Sequence, residues 1–142
     1  MTDLERARKL FSATVYATEV TGCVIEEVRP DYARCSLSVE PKHMNGLGIP
    51  MGGAVFTLAD FAFGVCANFD KGVFVTLSAD SHFLAPCKGH TMVAEARELR
   101  AGRRVCLYSV TVTDELGSNI AYFTFTGLRT EAHKAKRPSA AE

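Results

Sequence analysis

Residues 54–67, AVFTLADFAFGVCA, constrain the fold of this chain most, because they carry apolar side chains on every side of a helical wheel. A helix that is hydrophobic all round has to be buried, usually by a sheet wrapped about it. One charged residue interrupts the run. Asp60 is the only carboxylate between Glu40 and Asp70. Aspartate is a poor helix former and costly to bury alone, so this position calls for compensation, and function is one candidate. Just upstream, Asn45-Gly46, Gly48, Pro50 and Gly52-Gly53 punctuate the chain and predict a loop that ends where the helix begins.

The flanks supply the sheet. Thr2-Asp3-Leu4-Glu5 reads as a capping box, and Leu4, Ala7, Leu10, Phe11 and Val15 follow helical spacing, predicting an amphipathic helix over 3–16. Strands are predicted over 20–28 and 32–40 about the turn Arg29-Pro30-Asp31; the second alternates Ala33, Cys35, Leu37 and Val39 with Arg34, Ser36 and Ser38. Beyond the central helix, 73–84 is extended and Pro86 ends it. Residues 90–100 fit strand or helix, and their setting selects strand. Residues 104–113 and 119–128 are β by composition about the turn 114–118. Residues 130–142 lack apolar periodicity and predict a frayed tail.

With no repeat and no linker, the expectation is one α+β domain over 1–142, a curved antiparallel sheet around one central helix. Such a sheet covers the helix on one side, so a homodimer or a dimer of dimers is expected to cover the rest. Lys plus Arg (16) equals Asp plus Glu (16), which gives no charge argument for nucleic acid or a membrane surface. The apolar runs are too short to span a bilayer, and MTDLERARKLF has no signal-peptide core. Five cysteines without CxxC spacing, and four scattered histidines, fit a reduced cytoplasmic protein with no metal and no cofactor.

The run Asn45…Met51-Gly52-Gly53…Leu58-Ala59-Asp60 resembles the signature of the hot-dog-fold acyl-CoA thioesterases of the phenylacetic-acid-degradation (PaaI-like) type: Asn, five residues, His-Gly-Gly, then Leu-Ala-Asp in the central helix. Phe83-Leu84-Ala85-Pro86, Gly102-Arg103-Arg104 and Asn119-Ile120-Ala121 resemble later family features, so the likeness spans roughly residues 20–128. It implies a hot-dog fold, hydrolysis of an aryl- or medium-chain acyl-CoA, and a site at a dimer interface. It assigns Asn45 a water or the carbonyl, and Thr76 the orientation of water. Met51 stands where the family usually carries His.

The chemistry also follows from the residues. Thioester hydrolysis needs a nucleophile and a polarised carbonyl, while the leaving thiolate, with a pKa of about 8.5, departs readily. Gly52 and Gly53, preceding the helix, offer free amides backed by the helix dipole for an oxyanion. Asp60 is the candidate nucleophile or general base. Gly64, one turn on, leaves room for an acyl group. Lys88, Arg100, Arg103 and Arg104 read either as a solvated cluster or as a grip on the phosphates of coenzyme A. Met51 reads as a core or pocket-lining filler and Cys66 as an inert buried thiol. A non-catalytic acyl-CoA binder is the alternative. A hot-dog hydratase ranks last, because the central helix offers no His.

Overall fold

The computed structural model describes residues 1–130. Helix α1 (Asp3–Phe11) and a π-helical turn (Tyr16–Thr21) lead into strands β1 (Val24–Arg29) and β2 (Tyr32–Ser38). Helix α2 (Gly52–Asn68) follows, and then strands β3 (Phe74–Phe83), β4 (Thr91–Ala101), β5 (Val105–Asp114) and β6 (Asn119–Arg129). The strands form one antiparallel sheet in the order β1-β2-β4-β5-β6-β3. The sheet curves around α2, as the sequence predicts. Among the described residues no helix is long and apolar enough to cross a membrane.

Alternation fixes which face meets the helix. Ala33, Cys35 and Leu37 of β2, Met92, Ala94 and Ala96 of β4, and Tyr108, Val110 and Val112 of β5 all point inward and are buried. The small side chains in that set bring the sheet close to Leu58, Ala59 and Ala62 of α2. At the far end, Phe63 stacks on Phe125 with 4.9 Å between ring centroids. A Cβ on Gly127 would fall 2.7 Å from Cys106 Sγ and 3.1 Å from the Phe63 ring, so this strand glycine is there for packing.

Three boundaries differ from expectation. The helix predicted over 3–16 stops at Phe11, although its Thr2–Glu5 capping box forms. The strand predicted from residue 20 starts at Val24, because Gly22 adopts φ 96° and its amide closes the π-turn on the Ala17 carbonyl. Helix α2 starts at Gly52, so Gly52 and Gly53 lie in its first turn rather than ahead of it. The tail predicted over 130–142 lies, from residue 131 on, outside the described residues.

Candidate active site

Helix α2 is not buried all round. Thr57, Gly64 and Asn68 are half-buried and Asp60 is exposed, and these positions share one face that the sheet leaves uncovered. That face floors a groove of about 500 Å³, walled by Phe11 and Tyr16 on one side and by Phe74 and Thr76 of β3 on the other. Asp60 reaches solvent in the single chain. Its carboxylate nevertheless sits deep enough among apolar atoms for desolvation to raise its pKa above the ordinary 3.8. Thr76 Oγ1 donates to Asp60 Oδ1 at 3.5 Å and opposes that shift only in part. Asp31, Asp70, Asp114 and Glu115 all move the other way, held down by hydrogen-bond donors. Among the described residues no cation pairs with Asp60.

A second pair forms elsewhere. Asn45 and Gly52 line a groove of about 330 Å³ with Phe83 and Pro86. Asn45 Oδ1 accepts from the Leu47 and Ile49 amides at 2.9 and 3.3 Å, which holds the loop shut and leaves its NH2 group as the available donor. The Gly52 and Gly53 amides have no acceptor among the described residues, whereas the next two, Ala54 and Val55, donate to the Met51 carbonyl. Met51 is the N-cap residue and 58% exposed. It lines a third groove with Gly53 and Tyr16, and so fits the pocket-lining part of its expectation rather than the core part.

The sequence thus names two pairs that the fold keeps apart. Eight residues of helix separate Gly52 from Asp60, about 12 Å at the helical rise, and the two open onto different grooves. One thioester carbonyl cannot touch both within a single chain.

The four cations do not gather into one cluster within the chain. Lys88 precedes β4, Arg100 lies near its far end, and Arg103 and Arg104 follow in the turn. Along the extended strand Lys88 and Arg100 are roughly 35 Å apart, so the four cations of a single chain do not meet around one set of phosphates. Lys88 follows Pro86 and Cys87, beside the Asn45–Gly52 groove.

Two residues have structural roles that the sequence does not reveal. His43 is buried: its Nδ1 accepts from the Glu40 amide at 2.9 Å, and its Nε2, the protonated nitrogen by that assignment, donates to the Thr21 carbonyl at 2.7 Å. The His43 carbonyl in turn accepts from the Met51 amide at 2.8 Å, so the imidazole pins the loop that delivers the start of α2. Asn68 lies eight residues beyond Asp60 on the same open face; the spacing 57, 60, 64, 68 is the signal that could have found it. Cys66 behaves as expected: burial pushes its thiol up to about 12.

The family model described as the thioesterase superfamily matches residues 47–121, more than half of the chain, and takes in Gly52, Asp60 and Thr76. The chain belongs to the thioesterase superfamily. It is a hydrolase acting on thioesters, with the hot-dog fold of the PaaI type. A Deinococcus radiodurans protein named provisionally as an esterase is 34% identical over 126 residues, 88% of this chain and 86% of that one. A variant of the phenylacetic acid degradation protein PaaI from Thermus thermophilus superposes with a TM-score of 0.75 at 31% identity, over 80% of this chain and 97% of the other. A Streptococcus mutans protein solved with acetyl-CoA superposes with a TM-score of 0.70 at 29% identity, over 75% and 86%.

Proposed function

We propose that this thioesterase hydrolyses acyl-CoA, with an aryl or medium-chain acyl group, at a site completed by two copies of the chain. The observation that carries the reading is the separation of Asp60 and Thr76 from Asn45 and Gly52 by about 12 Å along α2. A second copy, joined along β3, would bring the Gly52 end of its own α2 to face Asp60. The acetyl-CoA held by the Streptococcus mutans relative supports the ligand class.

In this reading Asp60 is the general base and Thr76 positions the water. The water oxygen attacks the thioester carbon while its proton passes to Asp60. The oxyanion accepts from the Gly52 amide and the Asn45 NH2 group of the second copy. The tetrahedral intermediate collapses, the C–S bond breaks, and the thiolate takes the proton from Asp60, leaving acid and free coenzyme A. The desolvation that raises the pKa of Asp60 makes it a stronger proton acceptor than an ordinary carboxylate. Lys88 is the cation assigned to the nucleotide phosphates. Gly53 and Met51 border the entrance, and Gly64 extends the acyl side of the groove.

Asp60→Asn tests it. The expected kcat falls by about two to four orders of magnitude, the range for losing a general base. A single turnover in oxygen-18 water separates the two roles of the carboxylate: a base sends the label into the acid at once, whereas a nucleophile first delivers its own oxygen. An Asn variant with near-normal kcat and a lowered Tm overturns the assignment and makes Asp60 structural.

A further inference from the structure

The groove beside Asp60 has a direction. Its floor runs Asp60, Gly64, Asn68 along one face of α2, and among the described residues Asp60 is the only charged one that lines it. Nothing lies within 4 Å of where a Gly64 Cβ would stand, and φ there is not in the left-handed region, so the chain's own packing gives no reason for a glycine at this mid-helix position. Asn68 is the last residue of α2 that lines the groove. The Asn68 side chain is clamped to the first residue of β3, with Oδ1 accepting from the Phe74 amide at 2.6 Å and Nδ2 donating to the Phe74 carbonyl at 3.3 Å. Phe11, Tyr16 and Phe74 supply the apolar walls.

Resting on the thioesterase reading, we propose that the acyl group lies along α2 from Asp60 toward Asn68, and that this channel selects an unbranched medium-length acyl chain over an arylacetyl group. Eight helical residues give a floor of about 12 Å, which a zigzag chain advancing about 1.25 Å per carbon fills with roughly eight to ten carbons. An arylacetyl group reaches about half that length and leaves the Asn68 end empty. Gly64 is the specificity-determining residue: a side chain there would block the channel one turn beyond the reacting carbonyl.

The test is kcat/KM of the full-length protein across straight-chain acyl-CoAs from acetyl to palmitoyl, with phenylacetyl-CoA alongside, for the wild type and Gly64→Leu. The wild type is expected to peak at octanoyl or decanoyl, at least tenfold above phenylacetyl. Gly64→Leu is expected to lower the octanoyl-to-butyryl ratio by tenfold or more, with melting temperature reporting that the variant is folded. A wild-type preference for phenylacetyl-CoA, or an unchanged ratio in folded Gly64→Leu, overturns the channel while leaving the thioesterase standing. Failure to cleave any acyl-CoA overturns the thioesterase reading and the channel with it. The wild-type profile decides alone if the variant does not fold.

Discussion

The one sheet has two edges, and they are built in opposite ways. At the β1 edge the strand has six residues and a bulge between Ile25 and Glu27, and it carries Glu26, Glu27 and Arg29. Helix α1 lies against it, and Arg8 Nε donates to the Ile25 carbonyl at 2.8 Å. Arg8 also pairs with Glu26 at 3.9 Å, and Arg29 with Glu27 at 2.9 Å. At the β3 edge the strand has ten residues, of which only Phe74 is buried. Leu77 is 59% exposed and Phe83 54% exposed, and the outer side of β3 meets no strand of the described chain. Short length, charge, a bulge and a covering helix are the devices that stop a strand edge from pairing. The first edge has all four. The second has a bulge at Leu77, between Thr76 and Ser78, and one charge, Asp80, on a long strand whose edge no helix of the described chain covers. The difference fits the proposal that a second copy joins along β3, and Thr76 of the proposed site lies on that edge.

The largest effect is expected from closing the open edge. Leu77→Lys places a charge at the bulge, and the mass in solution by light scattering should fall to that of one chain. With it kcat/KM should drop a hundredfold or more, the scale of losing an oxyanion donor. A monomer that keeps its activity would break the comparison and the two-copy site together.

Opening the closed edge should do less. Arg8→Ala removes the donor to Ile25 and should cost about 1–2 kcal/mol, read as a lower Tm with kcat and mass unchanged. A change in mass would mean that β1 is an assembly edge too.

The smallest effect, and the finest contrast, is in pH. Asp70 bonds to Arg6 of α1 on the closed side, and that bond lowers its pKa. It therefore supports the fold above its unfolded pKa, and the support fades as pH falls through the folded value. Asp60 has the opposite sign. Its raised pKa favours the fold fully below the unfolded value, and that contribution is lost as pH rises through the folded one. Thermal melts should show Asp70→Asn lowering Tm at pH 7, and by less as the pH is taken down through the folded value. Asp60→Asn should raise Tm at pH 7 and do nothing at pH 2. Both variants lowering Tm at pH 7 would make Asp60 a partnered structural acid.

Much of this fold can be read in one dimension. The alternation in β2, the turn before β6 and the all-apolar run of α2 are local patterns, and local patterns survive folding. The open face of α2 was harder to read, because Gly64 and Thr57 count as neutral on a helical wheel; a missing side chain looks like packing until the sheet is seen not to cover it. The cations are spread apart within one chain for a geometric reason. Lys88 and Arg100 are near in sequence, but an extended strand turns that nearness into distance. The role of His43 was hard to read, since its long-range partner is the carbonyl of Thr21, and a bond to backbone leaves no pattern in side chains. The separation of Asn45 and Gly52 from Asp60 is the same lesson in reverse: a motif contiguous in the chain opens onto two different grooves.

The five cysteines have a use in the laboratory. Cys23, Cys35, Cys66, Cys87 and Cys106 are all free and all buried, and burial raises the pKa of every one. A thiol-reactive dye acts on exposed thiolate, so the folded protein is nearly silent to it at neutral pH. In an acyl-CoA assay the colour that develops therefore counts released coenzyme A against an almost empty background. As the protein is heated, the same dye begins to count the protein's own thiols. One reagent then measures catalysis below the melting transition and unfolding within it, in a single cuvette and on the same molecules.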